Sequence, residues 1–291
     1  MLNPLANVAL SARELSELRL ILERQTGILL DAPALDTLTE KLTQTISEVL
    51  RSGHIASSSD LLERLGSSDA ECEALAEHLL DGETRFFRYP AAFEALAKIV
   101  LPELEARKSA ENPRSPLILS AGCSTGEEPY SIGMSVCEVV NCSNGSWNVH
   151  IVASDIRRQA LGSAERGLYP LAAFEQVPDH LVQAYFAKVG DHLLVKPRLR
   201  NLVRFSQMNL AKPAFLGQFD CIFCMDVLPR FSMAQRVALV QRLHLYLQPG
   251  GYLFLGQNEK LPASDAKFQP QASNGYTLYR KDIALAARSG R

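Results

Sequence analysis

The sequence is poor in what a membrane-spanning or secreted protein needs. No apolar run is long enough to cross a bilayer, and the start, Met1-Leu2-Asn3-Pro4, lacks a basic segment followed by an apolar one. A cytoplasmic location without direct membrane insertion is expected. Arginine-rich runs are absent, which argues against a nucleic-acid partner. Cysteine is sparse and scattered. Cys72, Cys123, Cys137, Cys142, Cys221 and Cys224 show neither the paired spacings of a disulfide framework nor those of a zinc site. Cys221-Ile222-Phe223-Cys224 is formally a Cys-x-x-Cys, but it lies in an apolar strand, where residues three apart point to opposite faces. Buried thiols and no metal are expected. No histidine or cysteine stands in an obvious catalytic setting.

The 291 residues are enough for a good core and one or two domains, and 47% hydrophobic with 21% charged residues is ordinary for a folded protein. The formal net charge of −2 hides an asymmetry: residues 1–83 carry 6 Lys+Arg against 15 Asp+Glu, and the remainder 24 against 17, so the two parts stand at −9 and +7. A basic second part can attract an acidic protein surface.

Residues 1–83 read as a small all-α domain. Ser11-Ala12-Arg13-Glu14 is a capping box, and the helix after it, with Leu15, Leu18, Ile21 and Leu22 on one face, stops at Gly27. A second helix is predicted over Asp36–Arg51, then a polar loop His54–Asp60 and a short helix Leu61–Leu65. Ser68-Asp69-Ala70-Glu71 is another capping box, opening a helix that ends at Gly82. Residues 84–114 form a linking segment, with a helix over Pro90–Arg107 and a loop over Lys108–Pro116.

From 115 to 291 strands and helices alternate, which implies a largely parallel sheet with a ligand at the carboxyl ends of its strands. Leu117–Leu119 is a strand, Ser120–Ser131 a glycine turn, and Tyr130–Val140 a helix. Gly122 and Gly126 let the backbone turn tightly and approach a ligand. Glu127-Glu128 would repel a phosphate, so the ligand is uncharged or cationic at this end. Val149–Ala153 is the next strand, and Asp155 just past it is placed to accept from ribose hydroxyls. Together these residues suggest a nucleoside that carries a positive group. Further on come a helix Arg157–Ala164, a turn Gly167–Pro170, a helix His180–Lys188, and short strands at Leu193–Pro197 and Leu202–Phe205. The segment around them is basic, with Lys188, Lys196, Arg198, Arg200 and Arg204. The strand Phe219–Met225, the helix Ala234–Leu247, the strand Tyr252–Leu255 and a closing strand Tyr276–Tyr279 complete the pattern.

The run Ser120–Ser131, with Asp155, Met208-Asn209-Leu210 and Pro249-Gly250-Gly251-Tyr252-Leu253-Phe254-Leu255-Gly256, resembles the CheR-type chemoreceptor glutamate methyltransferases. Thr84-Arg85-Phe86-Phe87-Arg88 is similar to that family's signature ahead of the catalytic domain, and the resemblance covers nearly the whole chain in order. Some details resemble the pilus-linked, twitching-motility branch. The resemblance implies an α/β chain: a small all-α domain, then a Rossmann-like methyltransferase domain with a small antiparallel insert at about 188–206. It implies S-adenosylmethionine as cofactor and S-adenosylhomocysteine as product. The substrate would be glutamate side chains in the cytoplasmic region of a methyl-accepting chemoreceptor, and there is room for a regulatory protein. Thr84, Arg88, Glu128, Asp155, Asn209, Leu210, Asp226 and Val227 would surround the cofactor, with Gly122 in the turn. Asp155 would hold the ribose, Glu128 the cationic amino-acid end, and Asn209 and Leu210 the adenine. Arg88 would steer the incoming carboxylate.

The family's usual Asn-Val, followed by an Ile-Tyr-Phe, is here Asp226-Val227-Leu228-Pro229-Arg230-Phe231, and its His-Ser is Gln257-Asn258 before Glu259. Arg230 thus stands where a tyrosine borders methyl transfer, either to bind the substrate carboxylate or as the mark of a weakened site. In the family's helical domain a basic face docks the substrate; here only Lys41 and Arg51 recur, in an acidic setting. Two other readings stay open: a cofactor-binding signalling module with little or no catalysis, and a small-molecule carboxyl methyltransferase.

Overall fold

The computed structural model describes residues 11–29, 57–80, 84–110, 114–140, 146–214, 217–261 and 267–283. The helix expected over Asp36–Arg51, with Lys41 and Arg51, lies outside them.

Short apolar runs make the sheet. The chain lays down β1 (Leu117–Ala121), β2 (His150–Asp155), β3 (Leu168–Pro170), β4 (Phe186–Val189), β5 (His192–Val195), β6 (Val203–Gln207), β7 (Phe219–Cys224), β8 (Leu247–Leu255), β9 (Phe268–Ser273) and β10 (Tyr276–Lys281). Seven of them form one sheet in the order β6-β2-β1-β7-β8-β10-β9, parallel from β6 to β8, with β10 antiparallel to both its neighbours. The chain leaves β1 to build β2 on one side and later returns to place β7 on the other. That reversal opens a crevice at the carboxyl ends of the strands. All six residues of β7 are buried, as a strand covered on both faces requires. Cys221 packs with Phe223 and Phe254 in one core layer and Cys224 with Ile222 and Leu255 in the other, so the two thiols do face opposite ways. Among the described residues no cluster of side chains suits a metal ion.

Several expectations change. The small antiparallel sheet is β3-β5-β4, spanning 168–195 rather than 188–206, and Val203–Gln207 is the edge strand of the main sheet beside β2. A four-residue helix, Pro197–Arg200, turns the chain between the two sheets. Of Gly167–Pro170 only Gly167, at φ +61°, turns the chain, because Leu168–Pro170 pairs with His192–Leu194, and the helix expected over His180–Lys188 ends at Tyr185 so that Phe186 can enter β4. β9 was not foreseen, although Asn274-Gly275, both at positive φ, is the signal of a two-residue hairpin.

The predicted helix Pro90–Arg107 is continuous but not uniform. A π turn, Leu96–Val100, separates Pro90–Ala95 from Leu101–Arg107. Pro102 has no N–H to give, and the wider turn ahead of it relieves that loss.

Ahead of the sheet, helices Ala12–Thr26, Ser58–Ser67 and Asp69–Leu79 pack through Leu18, Leu22, Leu61, Leu65, Cys72 and Ala76. The capping box at Ser11 and Glu14 is complete. That at Ser68 is half made: its hydroxyl accepts from the Glu71 amide at 3.3 Å, but the Glu71 carboxylate turns to Arg64 at 2.7 Å. This helical layer is tied to the sheet domain by a cap supplied across the interface. The helix Arg158–Arg166 has no side-chain cap of its own at its N-terminus, and the Glu77 carboxylate accepts from its first amides, Arg158 at 2.9 Å and Gln159 at 2.6 Å. Glu77→Ala is expected to lower stability by about 1 kcal/mol, as loss of a helix cap does, read from urea melts.

Candidate functional site

A cavity of about 420 Å³ opens at the carboxyl ends of β1, β2 and β7, within the ~300–1,000 Å³ range of small-molecule sites. Thr84, Arg88, Gly122, Glu128, Asp155, Asn209, Leu210, Asp226, Val227 and Arg230, drawn from five separate stretches of sequence, all line it.

The turn after β1 sets its floor. Gly122 has φ +82°, and a Cβ there would come within 2.5 Å of Val227 Cγ2. Gly126, at φ +97°, packs against Ala164 in the same close way. Ser124 also adopts positive φ, and its amide donates to Asp155 Oδ2 at 2.8 Å. Asp155 Oδ1 accepts from the Arg157 amide at 2.9 Å and from its Nε at 3.3 Å, while Arg157 Nη2 donates to Ser124 Oγ at 2.7 Å and Nη1 to the Leu80 carbonyl at 3.0 Å. The acid at the end of β2 is thus fixed in place, with lone pairs left for hydroxyls.

The two turn carboxylates part company. The helix begins at Glu127, earlier than Tyr130, so both acids sit in its first turn. Glu127 is buried and accepts from Thr125 Oγ1 at 2.7 Å, away from the cavity, whereas Glu128 faces it. Ser120 Oγ donates to Glu128 at 2.6 Å. Burial pushes the Glu128 carboxyl up to about 7 against that hydrogen bond; the charges of Asp226 and Glu259 push the same way and Arg88 opposes them. A cation in the cavity would restore its charge.

Opposite, Asp226 stands at φ +60°. Tyr89 OH donates to both its oxygens at 2.8 Å, and Arg88 Nε lies 3.2 Å from Oδ2. Its backbone is clamped by Glu259, which accepts from the amides of Asp226 at 2.8 Å, Leu228 at 3.1 Å and Gly256. Burial raises the Glu259 carboxyl, and these amides hold it down. Arg88 is aimed by the segment before it. Phe86 is buried among Tyr169, Phe174 and Phe186, and Phe87, at φ +51° with its amide on Ser131 Oγ, turns the chain back toward the cavity. Only Phe86 is a full anchor; Phe87 is half-buried against Phe93.

The helical layer closes the far wall. Thr26, Ile28 and Leu80 line the cavity, Ile28 pairs its backbone with Phe231, and the Leu29 amide donates to the Arg230 carbonyl at 2.7 Å. Asn209 is held to this layer: its Nδ2 donates to the Gln25 carbonyl at 2.9 Å, and its Oδ1 accepts from the Ala211 amide. Sequence reasoning missed Tyr89, Arg157, Glu259 and these wall residues. Tyr89 adjoins the Thr84–Arg88 signature and Arg157 follows Asp155 by two, but nothing local marks either as part of a site.

The donor set suits S-adenosylmethionine. It offers an acid for ribose hydroxyls, a carboxylate for a positive group, a glycine floor that lets a ligand come close, and apolar walls from Ile28, Leu80, Leu210 and Phe231. The family model "CheR methyltransferase, SAM binding domain" matches residues 82–277. "Chemotaxis protein methyltransferase 1" of Pseudomonas aeruginosa is 32% identical over 268 residues, covering 90% of this chain and 95% of that protein. "Chemotaxis protein methyltransferase" of Vibrio anguillarum is 32% identical over 279 residues, 94% and 98% of the two chains, and that of Salmonella typhimurium 32% identical over 217 residues, 72% of each. A family match over two-thirds of the sequence, with relatives 32% identical along most of their length, makes this chain an S-adenosylmethionine-dependent enzyme of the CheR methyltransferase family.

Proposed function

We propose that the protein is a glutamate O-methyltransferase acting on the cytoplasmic region of a methyl-accepting chemoreceptor, in chemosensory adaptation. The observation that carries this is that guanidiniums, Arg88 and Arg230 among them, line a cavity whose proposed reaction calls for no general base. A glutamate side chain, with a reference pKa of ~4.3, is ionised at neutral pH and needs none. Arg88 and Arg230 receive the incoming carboxylate and keep it charged. Asp155 takes the ribose, Asn209 and Leu210 border the adenine, Glu128 faces the amino-acid end, and Thr84, Gly122 and Val227 complete the enclosure. S-adenosylmethionine, when bound, supplies a methyl group carried on positively charged sulfur. The chain's own task is orientation and exclusion of water, and orientation alone supplies roughly 7–11 kcal/mol in favourable cases.

The names of the relatives support the receptor as substrate. The family match beginning at residue 82 supports a helical part up to about 83 ahead of the methyltransferase region, within which the reading sets a linking segment to 114 before the domain itself. No helix among the described residues is long and apolar enough to cross a membrane, consistent with action from the cytoplasm.

Transfer of radiolabelled methyl to receptor-containing membranes tests the reading. Base-labile label on a receptor, reduced at least about a hundredfold by Arg88→Ala, is the expected result. Tight binding of S-adenosylhomocysteine with no label on any receptor would show a binding module instead.

A further inference from the structure

One guanidinium at the cavity joins three parts of the molecule. Arg157 donates from Nε to Asp155 Oδ1 at 3.3 Å, from Nη2 to Ser124 Oγ at 2.7 Å and from Nη1 to the Leu80 carbonyl at 3.0 Å. Each nitrogen reaches a different element: the end of β2, the turn after β1, and the residue that ends the helix Asp69–Leu79. The side chains of Arg157 and Asp155 are only 13% and 8% exposed. Ile156, between them, packs against the helical cluster that contains Leu18, Leu22 and Leu79. The helix Asp69–Leu79 also sets Glu77 on the amides of Arg158 and Gln159, the two residues after Arg157. The helical layer thus grips the chain at both ends of this corner.

We propose that Arg157 is a positioning residue through which the helical layer sets the acid that holds the ribose. This rests on the reading of Asp155 as the ribose acceptor. The Ser124 amide that meets Asp155 belongs to a residue at φ +50°, a conformation that a residue with a side chain keeps only when its surroundings hold it there. Arg157 supplies that hold through Ser124 Oγ, so one group fixes both the acid and the turn. A guanidinium can do this because its donors form a rigid planar fork, whereas an ammonium is a point charge on a flexible stem and cannot reproduce the fork. Burial raises the Glu127 carboxyl, and the Arg157 charge is among the influences that oppose the rise. Lysine would keep that charge effect and lose the fork.

Calorimetry on the full-length chain, by competition where binding is weak, compares S-adenosylhomocysteine with the analogue that lacks both ribose hydroxyls. The wild-type chain is expected to bind the analogue about a hundredfold more weakly, because two hydrogen bonds to a carboxylate are lost. In Arg157→Met that ratio falls below about tenfold: S-adenosylhomocysteine weakens, while the analogue, which asks nothing of Asp155, binds as before. Unchanged binding of the analogue also reports an intact fold. Arg157→Lys behaves like Arg157→Met. Glu77→Ala, which loosens the helical layer at the next residues, lowers the ratio by about twofold to threefold and adds nothing further in the Arg157→Met background, as two changes acting through one group do. A ratio unchanged in Arg157→Met, equal weakening of both ligands, or full rescue by lysine overturns the proposal. So does a Glu77→Ala effect that is absent, or that persists undiminished without Arg157. If the wild-type chain itself shows no preference for the hydroxyls, the ribose reading falls and this proposal with it.

Discussion

Glu128→Gln melts several degrees above the wild-type chain at pH 8 and together with it at pH 4, while binding the cofactor at least about tenfold more weakly at neutral pH. Enclosure holds the Glu128 carboxyl at about 7 in the folded protein, against 4.5 for the free group. Below the unfolded value both states carry the proton and nothing is lost. As pH rises toward 7 the unfolded chain releases its proton first, and the folded state pays for keeping or ionising the group. Above 7 the full difference of two to three pH units is lost, on the order of 3 kcal/mol. Glutamine removes that cost along with the charge that a cationic ligand needs. Thermal melts across pH, with calorimetry of S-adenosylmethionine, check both halves. Equal melting of the two proteins at pH 8 would mean the carboxylate is well solvated and the electrostatic account of the floor is wrong.

Gly122→Ala is expected to weaken S-adenosylhomocysteine binding by about a hundredfold, close to 3 kcal/mol. Two effects add. A left-handed φ of +82° costs a residue with a side chain about 1–2 kcal/mol, and the new methyl would stand 2.5 Å from Val227 Cγ2, so either the turn or the wall must move. The second effect is separable. Val227 Cβ would lie 3.8 Å from the added carbon, an ordinary contact, so Gly122→Ala with Val227→Ala should recover part of the binding. No recovery would place the whole effect in the backbone.

Much of this was legible because it is local. The strand before Gly122, the turn and the helix after it lie within a short span, and Asp155 follows one strand later. Periodicity and two glycines are enough to set such a unit. Of Glu127 and Glu128 only the second faces the cavity, so the charge argument has that acid alone to rest on. Sequence alone does not tell that a helix starting at Glu127 rotates one carboxylate inward to Thr125 and the other into the cavity. The insert boundaries failed for a similar reason: β3 and β6 are short, and which sheet claims a short strand is decided by its partners. Residues joined only by folding gave no sign at all. Tyr89 and Asp226 are 137 residues apart, and Asn209 and the Gln25 carbonyl 184 apart. The Glu259 clamp, which decides how Asp226 is presented, depends on β7 and β8 ending side by side.

Those separations bear on the order in which the molecule is assembled. The sheet can pair strand by strand as its crossovers close, but the cavity requires the first helix of the chain to meet Asn209 and Phe231 after nearly all the intervening sequence has found its place. Long loops are slow to close, so this wall is among the last parts to form. A ligand that needs the wall stabilises only the completed chain, by an amount set by its concentration relative to its dissociation constant. A cofactor bound in this cavity would therefore seal a finished fold, holding the helical layer and the sheet together from the space between them.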